Sequence, residues 1–227
     1  MKVILLSAGR GERLRPLTDR VPKALTEVGG ESLLARHLRR LAQCGFCDAV
    51  INVAHLGAQI RTAIQDGAEF GMRVRYSEES PALETAGGIR LAIARNLLPQ
   101  NAPFLSVNAD IVCDINFAAL RMDSKMNCHL VLTKNPPANP RGDFSLSADG
   151  TLLQPGTDAL TYSGVGVFHP GMFAEIAPGE SAKLFPLLQK AIGDKTATGE
   201  IHEGVWHDTG TPASLAAARA AVSDGEK

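Results

Sequence analysis

The sequence predicts an α/β fold of three layers, a mixed and mostly parallel central sheet with helices on both faces. Three observations carry this. Short runs rich in Val, Ile and Leu alternate with segments of helical spacing through the first 110 residues. The first run, "KVILLS", reads as a buried strand. In the second half the alternation gives way to strands separated by turn signals, so part of the sheet is expected to run antiparallel.

The elements follow in order. After "KVILLS", the segment "SLLARHLRRLAQCG" has apolar residues at helical spacing, with Ser32 as its N-cap and Gly45 ending it. "DAVINVAH" is the next strand, "GAQIRTAIQDG" a helix and "MRVRYSE" a strand. "TAGGIRLAIARNLL" is then a helix, and "APFLSVNAD" a strand ending in polar residues. A short helix is expected near "INFAAL", with Asp114 or Asn116 as its cap. "CHLVLTK" is a strand and "GDFSLSADGTLLQ" a hairpin turning at Asp149-Gly150. "ALTYSGVGVFHP" is a further strand, "AKLFPLLQKAIGD" a helix and "EGVWHDTGT" a strand. The last helix, "PASLAAARAAV", starts with Thr211 as N-cap and Pro212 at its first position. It packs on its own sheet or on a partner; composition does not separate these, and the oligomeric state stays open. No repeat, low-complexity tract or linker divides the chain, so residues 1–227 are read as one domain.

Composition excludes several classes. With a formal net charge of -1 and a pI near 6.6, the chain lacks the basic surplus of a nucleic-acid binder. No apolar run approaches the roughly 20 residues needed to span a bilayer, and the N-terminal one is too short for a signal peptide. The expected location is the cytoplasm, with the four cysteines as reduced thiols. Cys44 and Cys47 form a CxxC, but at a helix end. A redox pair belongs at a helix start, so packing is the reading there.

The positive charge is concentrated in one place. "LLSAGRGERLRPLTDRVPKAL", residues 5–25, carries Arg10, Arg13, Arg15, Arg20 and Lys23 around a glycine-rich turn, against only Glu12 and Asp19. Gly9 and Gly11 allow a tight turn that presents amide N–H groups to an anion. Arg13 offers a planar fork to phosphate oxygens and Lys23 a point charge. The Walker pattern is absent, and the dinucleotide pattern GxGxxG fails at Leu14.

The same segment resembles, nearly without gaps, the signature of the sugar-1-phosphate nucleotidyltransferases, L-x-[AG]-G-x-G-x-R-[LM]-x-P-L-T followed by P-K-[AP]-L. "ALETAGGIR" resembles the family's second loop, where many members carry glycine in place of Glu84. "VNAD" resembles its NGD motif, with Ala109 for glycine, and "WHDTGT" its closing W-x-D-x-G-T. The combination of "PRGDFSL", "TYSGVGVFHP", "KLFPLL" and "WHDTGT" is most similar to the N-acetylmuramate-1-phosphate uridylyltransferases. Mannose-1-phosphate guanylyltransferases and glucose-1-phosphate thymidylyltransferases share the scaffold.

The resemblance implies a Rossmann-like nucleotidyltransferase fold, with residues 1–110 binding the nucleotide and 111–227 the sugar phosphate. It implies Arg13, Lys23, Asp110 and Asp208 as the catalytic set, with Mg²⁺ on the two aspartates. Ser7, Ala8, Gly9, Gly11, Glu12, Gly88 and Asn108 join Arg13 and Lys23 on UTP, or on another nucleoside triphosphate. On the sugar side it implies Asp143 and Gly164. Asp143 reads equally as a turn-forming residue after Gly142. Many relatives hold the sugar phosphate with a lysine of a Glu-Lys-Pro motif. This chain has "LLQPG" there, leaving Arg141 or Lys183 to replace it.

The six histidines fall singly, and no nucleophile–base motif is present. The chemistry needs none. A phosphate monoester has a second pKa of about 6 and attacks as the dianion. A non-catalytic nucleotide-sensing module is the alternative from another class; it predicts loss of the two acids or of Arg13 and Lys23, and all four are present. An NAD-dependent oxidoreductase is disfavoured at Leu14.

Overall fold

A computed structural model describes residues 1–225; residues 226–227 of the predicted domain lie outside the described residues. Strand β1 (Lys2–Leu6) is followed by a small hairpin, β2 (Glu27–Val28) and β3 (Glu31–Ser32), and by helix α1 (Leu33–Gln43). Then come β4 (Asp48–Val53), α2 (Gly57–Ile64), β5 (Arg73–Glu78), α3 (Glu84–Ala94), β6 (Phe104–Asn108) and β7 (Ile111–Cys113). The second half holds β8 (Cys128–Thr133), the hairpin β9 (Ser145–Leu146) and β10 (Leu152–Leu153), and β11 (Thr161–Phe168). It closes with α4 (Leu184–Gly193), β12 (Ala197–His202), β13 (Trp206–Asp208) and α5 (Pro212–Gly225).

Seven strands form one sheet in the order β12-β8-β11-β6-β1-β4-β5. Only β11 runs against the others, being antiparallel to both β6 and β8. The predicted mixed, mostly parallel sheet is therefore present. Alternate residues of β1 serve opposite layers. Val3 and Leu5 pack with Leu34, Leu38 and Leu41 of α1. Ile4 packs with Ile89 and Ile93 of α3 and Leu188 of α4. That two-sided burial is why "KVILL" is apolar throughout.

From β1 the chain builds outward through β4 and β5, then crosses back to lay β6 on the other flank of β1. The reversal opens a crevice beyond the C-terminal ends of β1 and β6, where ligands bind in open α/β sheets. Residues 6–11 and 108–110 stand at its rim.

The N-cap of α1 is Ser32, whose Oγ accepts the Ala35 N–H at 3.2 Å. Gly45 takes the left-handed conformation just past the helix, with Cys44 as the C-cap. All four cysteines are free. Thr211 caps α5 through its Oγ1, which accepts the Ser214 N–H at 3.1 Å. This helix packs on its own chain: Leu215 and Ala218 meet Leu14, Val28 and Leu33. No helix among the described residues is long and apolar enough to cross a membrane.

Several features depart from the expected elements, the short strands β2, β3 and β7 among them. No helix forms over "INFAAL"; the chain makes a turn there, held by Asn116 Oδ1 accepting the Ala118 N–H at 3.1 Å. Strand β12 was not expected, and it lies at the sheet edge beside β8. The strand over "WHD" does not enter the main sheet but pairs with β7 in a separate antiparallel ladder.

Candidate active site

The glycine loop leaves β1 and is fixed from below. Gly11 has φ 70°, and a Cβ on it would come 2.9 Å from Thr18 Cγ2 and 3.2 Å from Lys23 Cβ. The fully buried Thr18 donates its hydroxyl to the Gly11 carbonyl at 2.8 Å. Residues Glu12–Leu14 make one 3₁₀ turn, and Leu14 anchors it in the small core beneath α5. The backbone at Gly11 thus has room for no side chain.

This geometry sorts the five cations. Arg10 and Arg15 both turn to Asp19, at 3.3 and 3.0 Å, on an exposed face. Arg20 is exposed. Arg13 and Lys23 instead line a cavity of about 350 Å³ with Ser7, Gly9, Gly11, Glu12, Asp110 and Gly210. The Lys23 ammonium, on a side chain only 11% exposed, donates to Asp110 Oδ2.

Asp110 and Asp208 are brought together by the β7–β13 ladder. In it Asp208 pairs with Ile111, the residue after Asp110. Buried Thr209 doubles the link, donating its N–H and its hydroxyl to the Asp110 carbonyl at 3.1 and 2.7 Å. Asp208 Oδ1 accepts the Gly210 N–H at 3.1 Å. Burial raises the Asp208 pKa and the Asp110 charge raises it further, outweighing the opposing pull of Lys23, Arg13 and the Gly210 N–H. Both carboxylates border a third cavity of about 280 Å³ with Arg13, Asn108, Asn139, Tyr162, Gly164 and Trp206. Gly164 lies at a bulge in β11, where a Cβ would come 2.7 Å from Asn108 Nδ2. The Asn108 side chain lies where that Cβ would be.

A second cavity of about 560 Å³ adjoins the first. Ala8, Gly9, Asn52, Glu79, Glu84, Thr85, Asn108 and Ser181 are among its lining residues. Asp110 borders all three spaces.

Of the residues expected on the nucleotide, Ser7, Gly9, Gly11, Glu12, Arg13 and Lys23 line the first cavity; Ala8 and Asn108 line the second. Gly88 is buried beneath, against Glu79 and Asn52. On the sugar side only Gly164 lines one of these three cavities. Asp143 accepts the Asn139 side-chain amide at 3.0 Å and the Tyr162 N–H at 2.8 Å, so both its oxygens hold neighbouring structure. Arg141 and Lys183 are exposed and line none of the three spaces. Sequence reasoning did not single out Asn52, Glu79 and Asn139, and it met Thr85, Tyr162 and Trp206 only as members of quoted motifs. An asparagine inside the apolar run "DAVINV" was the clearest signal available.

Glu84 has φ 61°, a left-handed conformation that costs a residue with a Cβ about 1–2 kcal/mol. A glycine relieves that strain, so Glu84→Gly is expected to stabilise the protein by about 1 kcal/mol. Urea unfolding would show a higher midpoint at unchanged slope.

A sheet switch point, a glycine loop carrying two cations, and two facing carboxylates together define a protein that handles a polyphosphate. The model of the nucleotidyl transferase family matches residues 2–225, and the chain belongs to that family. It is 45% identical to an N-acetylmuramate alpha-1-phosphate uridylyltransferase of Neisseria meningitidis serogroup B, over 97% of each chain. It is 32% identical to the enzyme of that name from Caulobacter vibrioides, over 97% of this chain and 96% of that one. The fold is shared with a Bacillus anthracis crystal structure described as a glucose-1-phosphate thymidylyltransferase. There the TM-score is 0.85 at 19% identity, over 99% of this chain and 96% of the other.

Proposed function

We propose that the protein is a Mg²⁺-dependent uridylyltransferase acting in the cytoplasm on UTP and N-acetylmuramate 1-phosphate. It releases pyrophosphate and forms the UDP-sugar. The observation that carries this reading is the convergence of Arg13, Lys23, Asp110 and Asp208, from three segments of the chain, on one cleft. The names of the relatives from Neisseria and Caulobacter support the choice of substrates.

The triphosphate tail occupies the first cavity and the nucleoside the second, both formed mostly from residues 1–110 with Gly210 and Ser181 at their edges; the sugar phosphate enters by the third, formed mostly from later residues. A sugar-phosphate oxygen attacks the α-phosphorus of UTP, the bond from that phosphorus to the bridging α–β oxygen breaks, and pyrophosphate leaves. The attacking phosphate is already a dianion, so no side chain need take a proton. Catalysis is positioning and charge neutralisation. Lys23 steadies the α-phosphate as charge builds on it. Arg13 and the Gly11 and Glu12 amides hold the departing pyrophosphate. Arg141 or Lys183 remains the candidate cation for the sugar phosphate or the lactyl carboxylate; Arg141 stands two residues past Asn139 of the third cavity, and Lys183 two past Ser181 of the second. Asp143 orients Asn139 toward the third cavity.

The donor set fits Mg²⁺. Two aspartate carboxylates face one cleft, and Mg²⁺ characteristically takes one or two carboxylates and completes its shell with phosphate oxygens and water. When bound, the ion neutralises phosphate charge and aligns the reacting groups.

The test is pyrophosphate release across UTP, GTP and dTTP, each paired with N-acetylmuramate, mannose and glucose 1-phosphates. Release is expected to need both substrates and to be fastest with UTP and N-acetylmuramate 1-phosphate. A purified protein that releases none with any pair rejects the reading.

A further inference from the structure

Two loops flank the second cavity, and one buried chain of hydrogen bonds ties them together. Ser7 opens the glycine loop. Its N–H donates to Asn52 Oδ1 at 2.7 Å, and its hydroxyl donates to the Asn52 carbonyl at 2.7 Å. Asn52, at the end of β4 and 3% exposed, donates its Nδ2 to Glu79 Oε1 at 2.8 Å. Glu79 Oε2 then accepts the Leu83 N–H at 2.8 Å, at the entry to α3.

The polarity of this chain is forced. A backbone N–H only donates, so Ser7 fixes the oxygen of Asn52 toward itself and turns the NH₂ toward residue 79. Residue 79 therefore meets two donors, Asn52 Nδ2 and Leu83 N–H, one on each oxygen. Only a carboxylate accepts both; a glutamine has one acceptor atom and would set an NH₂ against an N–H. This explains an acid 5% exposed that forms no ion pair among the described residues, Arg95 acting on it only as a nearby charge. Gly88 leaves the space: a Cβ there would come 2.4 Å from Glu79 Oε1 and 2.9 Å from Asn52 Nδ2.

We propose that Glu79 is a positioning residue for nucleotide binding: through Asn52 it fixes the start of the glycine loop relative to the 79–84 loop, and so sets the width of the cleft between them. The inference rests on the proposed reading of the second cavity as the nucleoside site. Neither Ser7 nor Glu79 need touch the nucleotide for it to hold.

The polarity argument supplies its own test. Glu79→Gln leaves one buried donor unpaired, and Asn52→Asp alone sets carboxylate against carboxylate. In the double variant E79Q/N52D the polarity is reversed and complete. The new carboxylate at position 52 accepts from the Ser7 N–H and from the new side-chain amide at position 79, whose own oxygen accepts the Leu83 N–H. Each single variant is expected to raise the KM for UTP about tenfold with the sugar-phosphate KM unchanged. Each should also speed amide exchange at Ser7 about tenfold without any ligand. The double variant should return both quantities to within about threefold of wild type. Single variants that leave both unchanged, or a double variant no better than the two effects multiplied, overturn the proposal. A carboxylate that itself contacts the base gives the second result. The exchange readout needs no nucleotide, so it judges the bridge even where the UTP reading fails.

Discussion

Lys23→Ala is expected to lower kcat by about 10²- to 10³-fold while leaving the melting temperature nearly unchanged. The ammonium is largely withdrawn from water, on a side chain 11% exposed, and its hydrogen-bonding partner is Asp110 at the cleft. Arg15 cannot substitute, because it leans on Asp19 on an exposed face, and Arg10, at the border of the second cavity, is engaged by Asp19 and His55. Loss of the ammonium removes a charge aimed at where negative charge grows in the transition state. The effect therefore falls on kcat more than on KM. Stability barely changes because the Asp110 side chain, about one-third exposed at 32%, regains water when its partner goes. Lys23→Arg should rescue only part of the rate, since the lysine stem packs against the bare face of Gly11 and a guanidinium is broader. Steady-state kinetics with both substrates varied would check this. A Lys23→Ala enzyme with wild-type kcat would remove Lys23 from the chemistry.

The parts of this molecule that could be read from sequence are those whose cause is local. β1, β4 and β6 are covered on both faces, so each shows as a mostly apolar run, interrupted only by buried Asn52 in β4 and Ser106 in β6. Helix α1 announces its ends through Ser32 and Gly45. The glycine loop is contiguous, so its anion-holding elements stand side by side in the sequence. β12 gave no signal because its inward residues are small, Ala197 and Gly199, and the residues between them are polar or exposed. "INFAAL" has helical spacing, yet its apolar residues serve the core from a turn: Ile115, Phe117 and Leu120 are all buried there. The two aspartates were readable as motif members, but their meeting depends on a ladder joining residues 111–113 to 206–208. The sorting of Arg10 and Arg15 from Arg13 and Lys23 is likewise a tertiary fact. Asn52 and Glu79 are far apart in sequence, and neither spacing nor neighbours mark them as partners.

The second large effect concerns Asp208, and stability and activity should move in opposite directions. Burial and the nearby Asp110 charge raise its pKa in the native protein, despite Lys23, Arg13 and the Gly210 N–H. A carboxyl whose native pKa lies above its unfolded value adds stability that is full at low pH. That stability is lost as pH rises through the native pKa. At neutral pH without metal, the Asp208 charge is therefore a net cost to the fold. Asp208→Asn removes the charge and keeps an oxygen for the Gly210 N–H, so the variant should melt at or above wild type at pH 7. The advantage should vanish at pH values low enough to protonate Asp208. Mg²⁺ with nucleotide should raise the wild-type melting temperature and leave the variant's almost unmoved, because one of the two carboxylates is gone. Turnover should fall by about 10²-fold or more. Melting curves at pH 4 and pH 7, with and without Mg²⁺ and UTP, would decide the matter. A variant less stable at pH 7 that still gains from Mg²⁺ would mean that Asp208 serves the β7–β13 ladder rather than a cation. The opposite pattern would mean that the fold tolerates this half-buried charge because the chemistry requires it.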